Sequence, residues 1–344
     1  MPIQQAICIG VDPHVDTISV AGVNRAGTVV VEATVPNRTD AINKLILRLA
    51  AHGNARWAIE GSGSLGRLLT DRLLASNAEV YEVPTRLTAR LRLRNGYAKT
   101  DRIDAAAIAR FSLSEQLPRV DHHPVVEALR VLWGQRETLV IAQVQAVNRL
   151  RARLRELDPD KAASLSRLRS RHHFETLSQH QTKDPNPHQR ALNLAIRLDA
   201  QEALGRIDRI SQLETEITAV MPPAGHKLME IQGIGMIGAA AIIGHTGNIT
   251  RFPTEGHYAR YTGTAPLDAS SGRQQRHRLN RWGNRNLNKV IHIAIVTQLQ
   301  RKGDAHHYTN RRTTDGKTKQ EAIRAAKRHL ARRIYRTLKA HPLT

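Results

Sequence analysis

AICIGVDPHVDTISVAGVNRAGTVVVEATV, residues 6–35, decides how the chain begins to fold. AICIGVD and TISVAGV are short runs rich in β-branched residues, NRAGT is a turn and VVVEATV is a third run, which predicts three strands in a meander. TDAINKLILRLAAH follows with Ile42, Leu45, Ile46 and Leu49 at helical spacing. RWAIE then predicts a strand, SLGRLLTDRLLAS a helix and EVYEV another strand, and Asp101 opens a helix through AAAIARFSL. The order βββαβαβα predicts an α/β domain over 1–122, a mixed sheet with helices packed on it.

The character changes from about Val125. VVEALRVLWGQRETLVIAQVQAVNRLRARLREL and QRALNLAIRLDAQEALGRIDRISQLETEITAVM are long charged helical stretches. Leu129, Leu132, Leu139, Val144, Val147, Leu150 and Leu154 keep an apolar stripe through the first, which predicts a long α-helical, coiled-coil-like middle over 123–222 or a plain helical bundle. Between them RSRHHFETLSQHQTKDPNPH lacks periodicity and reads as a connection or flexible tip. After MPPAG a third, mainly α region fills 223–344. It ends in the basic EAIRAAKRHLARRIYRTLKA, whose Ile323, Ala326, Leu330, Ile334 and Leu338 form one apolar face.

Fifty-two lysines and arginines against thirty acids leave a formal charge of +22 on 344 residues. An excess of that size points to a polyanionic partner, nucleic acid before an anionic membrane. No apolar stretch approaches the length of a spanning helix and no signal peptide opens the chain, so the expectation is a soluble cytoplasmic protein. Cys8 is the single cysteine, without a partner for a disulfide, and reads as a buried strand residue. Aromatics make up only 3% of the residues, too few for a base-stacking platform, so charge must carry the affinity.

KTDRIDA, Lys99 to Ala105, places two acids in a run otherwise dense with cations, among them Arg90, Arg92, Arg94 and Lys99, which are candidates for contacts to nucleic acid. Asp104 lies one helical turn after Asp101, so the two share a face. Capping by Thr100 or Asp101, with Asp104 favouring the positive helix end, explains the pair as well as function does. Two further acids tip the balance: Asp12 ends the first strand and Glu60 ends RWAIE, and strand ends are where open α/β sheets gather ligands. Four carboxylates together repel one another unless a cation stands between them, and Mg²⁺ or Mn²⁺ on such hard oxygens suits phosphate chemistry. His14 reads as a turn residue or a contact behind the acids.

GSGSLG, Gly61 to Gly66, literally satisfies a dinucleotide fingerprint, with Glu82 about twenty residues on. Three strands precede it where the fingerprint normally follows the first, and the charge is wrong for a dehydrogenase. A tight strand-to-helix turn beside Glu60 is the better reading. Further on, IQGIGMIGAAAII resembles a helix-hairpin-helix element, in which Gly233 and Gly235 let backbone N–H groups approach a phosphate; the alternative is an ordinary turn between packed helices. In DASSGRQQRHR, Ser270 and Ser271 precede Arg273, Arg276, Arg278 and Arg281, a set whose plain reading is contact to phosphates.

The order GVDPH, AIEGSGS, KTDRIDA resembles the N-terminal domain of the DEDD transposases of a large bacterial insertion-sequence family, enzymes understood as bridge-RNA-guided recombinases. The stretch LMEIQGIGMIGAAAIIGHTGNITRFPTEGHYARYTGTAPLDASSGRQQRHRLNRWGNRNLNKVIHIAI is similar to their C-terminal transposase domain. The resemblance implies a domain of the ribonuclease H / Holliday-junction resolvase type with Asp12, Glu60, Asp101 and Asp104 as metal-binding acids. It also implies Ser271 as the nucleophile on the DNA backbone, with Ser270 the alternative, and a covalent serine–DNA intermediate. It implies strand exchange rather than hydrolysis, a homo-oligomer (dimer or tetramer), and a non-coding bridge RNA that pairs with donor and target DNA. The cell would be bacterial and the protein associated with its nucleoid. The chain departs from the pattern at Val15, where many relatives carry lysine. Two other functions fit the residues: a metal-dependent structure-specific nuclease in which Ser271 only binds phosphate, and a non-catalytic architectural protein whose acids only cap and pair.

Overall fold

The computed structural model describes residues 6–83, 101–165, 168, 170–183, 185–268, 277–278 and 283–343. The chain divides into two compact units, 1–122 and 123–344.

Among the described residues the first unit is built on five strands: β1 (Cys8–Pro13), β2 (Thr17–Val23), β3 (Val29–Pro36), β4 (Arg56–Glu60) and β5 (Val80–Val83). They lie in the order β3-β2-β1-β4-β5, and only β2 runs against the others. β1 and β2 are buried almost throughout, whereas β3 at the edge alternates half-buried and exposed residues, as a strand with one wet face does. Helices α1 (Thr39–Leu49) and α2 (Arg67–Ala75) bury Ile42, Leu45, Leu69 and Leu73 in one core with Ile9, Val11, Ile18, Val20, Trp57 and Ile59. α3 (Asp101–Ser114) covers the other face, where Ile108 and Ala109 pack with Cys8, Val23, Ala58 and Val83. The sheet is therefore a central layer between helices.

Among the described residues the second unit is helical apart from a two-residue ladder. α4 (Pro124–Leu157) and α7 (Pro187–Ala219) run antiparallel, with Arg136 paired to Glu214 at 2.7 Å and Arg149 to Asp199 at 3.2 Å. Arg153 also pairs with Asp199, so this nearly buried acid is held by two guanidiniums. α5 (Pro159–Ser164) and α6 (Arg171–Ser178) sit at the far end of this pair. The region expected to be an aperiodic tip thus contains a helix: Ser170 caps it through the His173 N–H, and Phe174 and Leu177 bury themselves with Leu150, Leu154 and Ile196. The stripe along α4 also shifts. Val144 is 55% exposed and Ala146 is buried in its stead.

The remaining helices are α8 (Pro223–Met229), α9 (Met236–Thr246), α10 (Glu255–Tyr261), α11 (Arg285–Gln300), α12 (Asp304–Thr314) and α13 (Lys319–Ala340). Their core takes in the start of α4 as well, through Val126, Leu129 and Trp133, so α4 is shared by two cores of one unit. The tail helix begins at a reciprocal cap between Thr318 and Glu321 and turns Ala326, Leu330, Ile334 and Leu338 inward. Among the described residues no helix is long and apolar enough to cross a membrane.

Candidate functional site

One face of β1 sets the geometry of the acids. Cys8, Gly10 and Asp12 alternate onto the same side of the strand. The Cys8 thiol meets the Ser112 hydroxyl of α3, and its burial pushes the thiol pKa up. Two residues on, Gly10 lies against the α3 backbone, where a β-carbon would run into the Ala105 carbonyl and the Ala109 amide. As the strand advances from 8 to 10 the facing helix residue falls from 112 to 105, so the two elements run antiparallel. Two further strand residues advance about 6.6 Å and four helical residues about 6 Å, which brings the start of α3 level with Asp12. Glycine at position 10 makes this close approach feasible.

Glu60 reaches the same place from the neighbouring strand. The parallel register pairs Cys8 with Arg56, Gly10 with Ala58 and Val11 with Ile59, so the next step sets Asp12 beside Glu60. Paired residues of parallel strands face the same side, and Ala58 packs with Cys8, Ile108 and Ala109 under α3. Glu60, two residues later, faces that side as well. Asp12 is 4% exposed, and Glu60 and Asp104 are half-buried. Asp101 opens α3 in backbone; its side chain lies outside the described residues.

The surroundings hold these strand ends in place. His14 Nε2 stands 3.3 Å from Asp12 Oδ2. Asn37 Nδ2 donates to the carbonyls of His14 and Leu65, both at 3.0 Å, and so ties the loop after β1 to the loop after β4. Glu82, at the end of β5, accepts from the backbone N–H groups of Gly61 at 3.2 Å and Ser62 at 3.0 Å, and from the Ser62 hydroxyl. The acid that a dinucleotide fingerprint would aim at a ribose is thus occupied in fastening the turn beside Glu60.

The donors brought together are hard carboxylate oxygens, the set that Mg²⁺ or Mn²⁺ takes. In kind they fit. Among the described residues no three histidine, cysteine, aspartate or glutamate side chains are grouped closely enough to hold an ion on their own.

In the second unit, Gly233 takes φ +90° in the turn between α8 and α9, and a β-carbon there would stand 2.5 Å from the Ala294 carbonyl of α11. Its glycine is explained by that approach. Gly235 caps α9 with open space on the side where a β-carbon would stand. β6 (Leu267–Asp268) pairs antiparallel with β7 (His277–Arg278), and Ser270, Ser271, Arg273 and Arg276 fall in the sequence between them.

Comparison with known proteins bears on both units. The sequence model of a DEDD transposase family named for IS110 matches residues 9–159, and that of the transposase IS116/IS110/IS902 family matches 225–310. The chain belongs to the IS110/IS116 family of transposases. It is similar to the insertion element IS116 uncharacterized 44.8 kDa protein of Streptomyces clavuligerus, 24% identical over 92% of this chain and 90% of that one. It is also 25% identical to the insertion element IS110 uncharacterized 43.6 kDa protein of Streptomyces coelicolor, over 88% of this chain and 86% of that one.

As an IS110/IS116 transposase the chain is an enzyme that recombines DNA, and its DEDD domain implies a divalent metal ion. The match over 9–159 spans all four acids, and that over 225–310 spans Gly233, Gly235 and Ser271. The structure brings Asp12, Glu60 and Asp104 to one side of the sheet. Of the other expected residues, Arg90, Arg92, Arg94, Lys99, Ser270, Ser271, Arg273, Arg276 and Arg281 lie outside the described residues, as does the side chain of Arg278. Sequence reasoning missed Gly10 and Asn37. Gly10 had a visible signal, a glycine inside a strand two residues before an acid, which marks close approach of another backbone.

Proposed function

We propose that this transposase is an RNA-guided DNA recombinase of an insertion sequence, cutting and exchanging strands through a covalent link to Ser271. What supports the reading is the placement of Asp12 and Glu60 at neighbouring strand ends, on the side of the sheet covered by the helix whose first turn carries Asp101 and Asp104. The sheet order, with only its second strand reversed, is compatible with a ribonuclease H-like domain of resolvase type.

In this reading Asp12, Glu60, Asp101 and Asp104 hold the divalent ions, which supply Lewis-acid stabilisation of phosphate charge. His14 orients the Asp12 carboxylate. The Ser271 hydroxyl gives up its proton and its oxygen attacks the phosphorus. One P–O bond to serine forms as one P–O bond to deoxyribose breaks, and the departing sugar oxygen takes a proton. An incoming strand's hydroxyl reverses the exchange, so phosphodiester energy is conserved. Arg273, Arg276, Arg278 and Arg281 hold the phosphate, and Arg90, Arg92, Arg94 and Lys99 track the backbone. Gly235, with open space where a β-carbon would stand, leaves the hairpin accessible to a further phosphate, while Gly233 lets the turn pack on α11. The guide is a non-coding bridge RNA, the partners are donor and target DNA, and the working form is a homo-oligomer in the bacterial cytoplasm.

Purified chain with Mg²⁺, the element's non-coding RNA and matching donor and target DNA tests this. The expected product is a protease-sensitive protein–DNA adduct that disappears in Ser271→Ala and on omission of the RNA. Cleavage without an adduct, undiminished in Ser271→Ala, would make the enzyme a metal-dependent nuclease.

A further inference from the structure

A charged side chain sits inside the core of the second unit. Lys327 is 9% exposed on α13, where its neighbours Ala326, Leu330 and Ala331 are buried, and its burial pushes its pKa down. Its ammonium donates to Asn288 Oδ1 of α11 at 2.5 Å. The amide of Asn288 then faces the other way: Nδ2 donates to the carbonyls of Thr262 at 2.9 Å and Gly263 at 3.0 Å. Rotating that amide by half a turn would set N–H against ammonium and oxygen against two carbonyls. Lys327 and the two carbonyls together therefore fix which way Asn288 points, and Lys327 is the side chain among them.

Thr262 and Gly263 are where the chain leaves α10 for β6. The return lies against them. A β-carbon on Gly283 would meet the Gly263 backbone and stand 3.0 Å from the Thr262 carbonyl carbon. Asn284 N donates to the Tyr261 carbonyl at 2.6 Å and its side chain caps α11 through the Leu287 N–H. The two ends of residues 264–283 thus meet at Tyr261–Gly263, and Asn288 grips that junction from the next turn of α11. Ser271 falls within this span of sequence.

We propose that Lys327 is a positioning residue for strand exchange, which through Asn288 holds shut the base of the segment carrying Ser271. The inference rests on the reading of Ser271 as nucleophile. Stability alone gives a different expectation for this lysine, because methionine fills a similar volume with no ammonium to desolvate. The role is therefore separable from packing.

The test uses the full chain and three variants. Lys327→Met and Lys327→Gln are both neutral and of similar length, and only Gln keeps a donor for Asn288. Asn288→Asp keeps the acceptor for Lys327 and loses both N–H donors to Thr262 and Gly263. Measured are joining of the element to new target plasmid in a bacterial host, binding of purified protein to a labelled duplex of the element end, and Tm. Lys327→Met is expected to lower joining on the order of 10- to 100-fold, as small misplacements of reacting groups do, with duplex binding and Tm near wild type. Asn288→Asp, which also sets a carboxylate oxygen against the two carbonyls, should lower joining at least as far with duplex binding retained and a lower Tm. Lys327→Gln should recover most of the loss. Wild-type joining in Lys327→Met, or a matched fall in Met and Gln that follows Tm, would overturn the proposal. The serine is scored separately: no adduct in the wild-type chain places the fault in that reading, whereas an adduct lost in Ser271→Ala beside an active Lys327→Met places it in the clasp.

Discussion

The carbonyl oxygen of Ala105 occupies the space that a β-carbon on Gly10 would need. The Cα of Ala109 closes the same space at 3.0 Å, so the sheet and α3 touch backbone to backbone just before both reach their acids. Gly10→Ala must push the helix away, because the obstacle is main chain and cannot rotate aside. The expected cost is about 1–3 kcal/mol of stability, and more for Gly10→Val. Recombination should fall further than Tm alone explains, since the helix carries Asp104 away from Asp12. Equal activity at equal folded fraction would show that the spacing is not needed.

Asp12→Asn, Glu60→Gln and Asp104→Asn each remove a charge where the chain concentrates acids at strand ends. Each should reduce strand exchange by on the order of 10² or more while leaving duplex binding intact, because the +22 excess binds DNA and the acids do not. Chelation of divalent ions should abolish exchange in the wild type and Mn²⁺ should restore it. A variant that loses DNA binding along with exchange would point to a folding role for that acid.

Glu82 gives a sharper case, because it touches the turn and not the acids. Glu82→Gln leaves one acceptor oxygen for three donors, the N–H groups of Gly61 and Ser62 and the Ser62 hydroxyl. Leaving part of that set unmet costs about 1–3 kcal/mol. The turn beside Glu60 should loosen, which hydrogen exchange at Gly61 and Ser62 reads directly. Unchanged protection there would mean that another group fastens the turn.

What could be read from the sequence follows the range of the forces involved. Strands β1 to β5 and helices α1 and α2 are set by local alternation and helical spacing, and they stand where AICIGVD, TISVAGV, VVVEATV and RWAIE place them. Asp12 and Glu60 fall near strand ends and Asp104 in the first turn of α3 for the same reason. The role of Asn37 could not be read, because its partners lie 23 and 28 residues away and are backbone carbonyls with no identity in sequence. For Glu82 the spacing from GSGSLG was legible, but not that it fastens the turn. Helix α6 was hidden by proline and histidine around it, although Phe174 and Leu177 stand at i and i+3. Lys327 carries a signal in the sequence: it lies four residues after Ile323 and three before Leu330, on the apolar face, where a charge requires a partner.

The pH dependence of stability is set by imidazoles held neutral. Burial, and then the charge of Arg130, push the His245 pKa down. Its Nε2 lies 3.2 Å from the Asn286 amide nitrogen, which donates to it, and the ring meets Trp133 edge-on at 5.0 Å. His180, His292 and His329 are also pushed down, each by burial first. The folded pKa lies below the unfolded value of 6.5, so below that pH the unfolded chain binds protons that the folded chain refuses. Stability from these sites is full above 6.5 and drains away as pH falls through the folded values. Asp208, held low by its hydrogen bond to Arg171, and Glu321, held low by Thr318, titrate in the more acid carboxylate range. The window from 6.5 down to about 5 therefore belongs to histidine. Tm measured across it should fall with pH, and His245→Gln, whose amide oxygen can still accept from Asn286, should flatten the fall. A slope as steep as that of the wild type would remove His245 from the account.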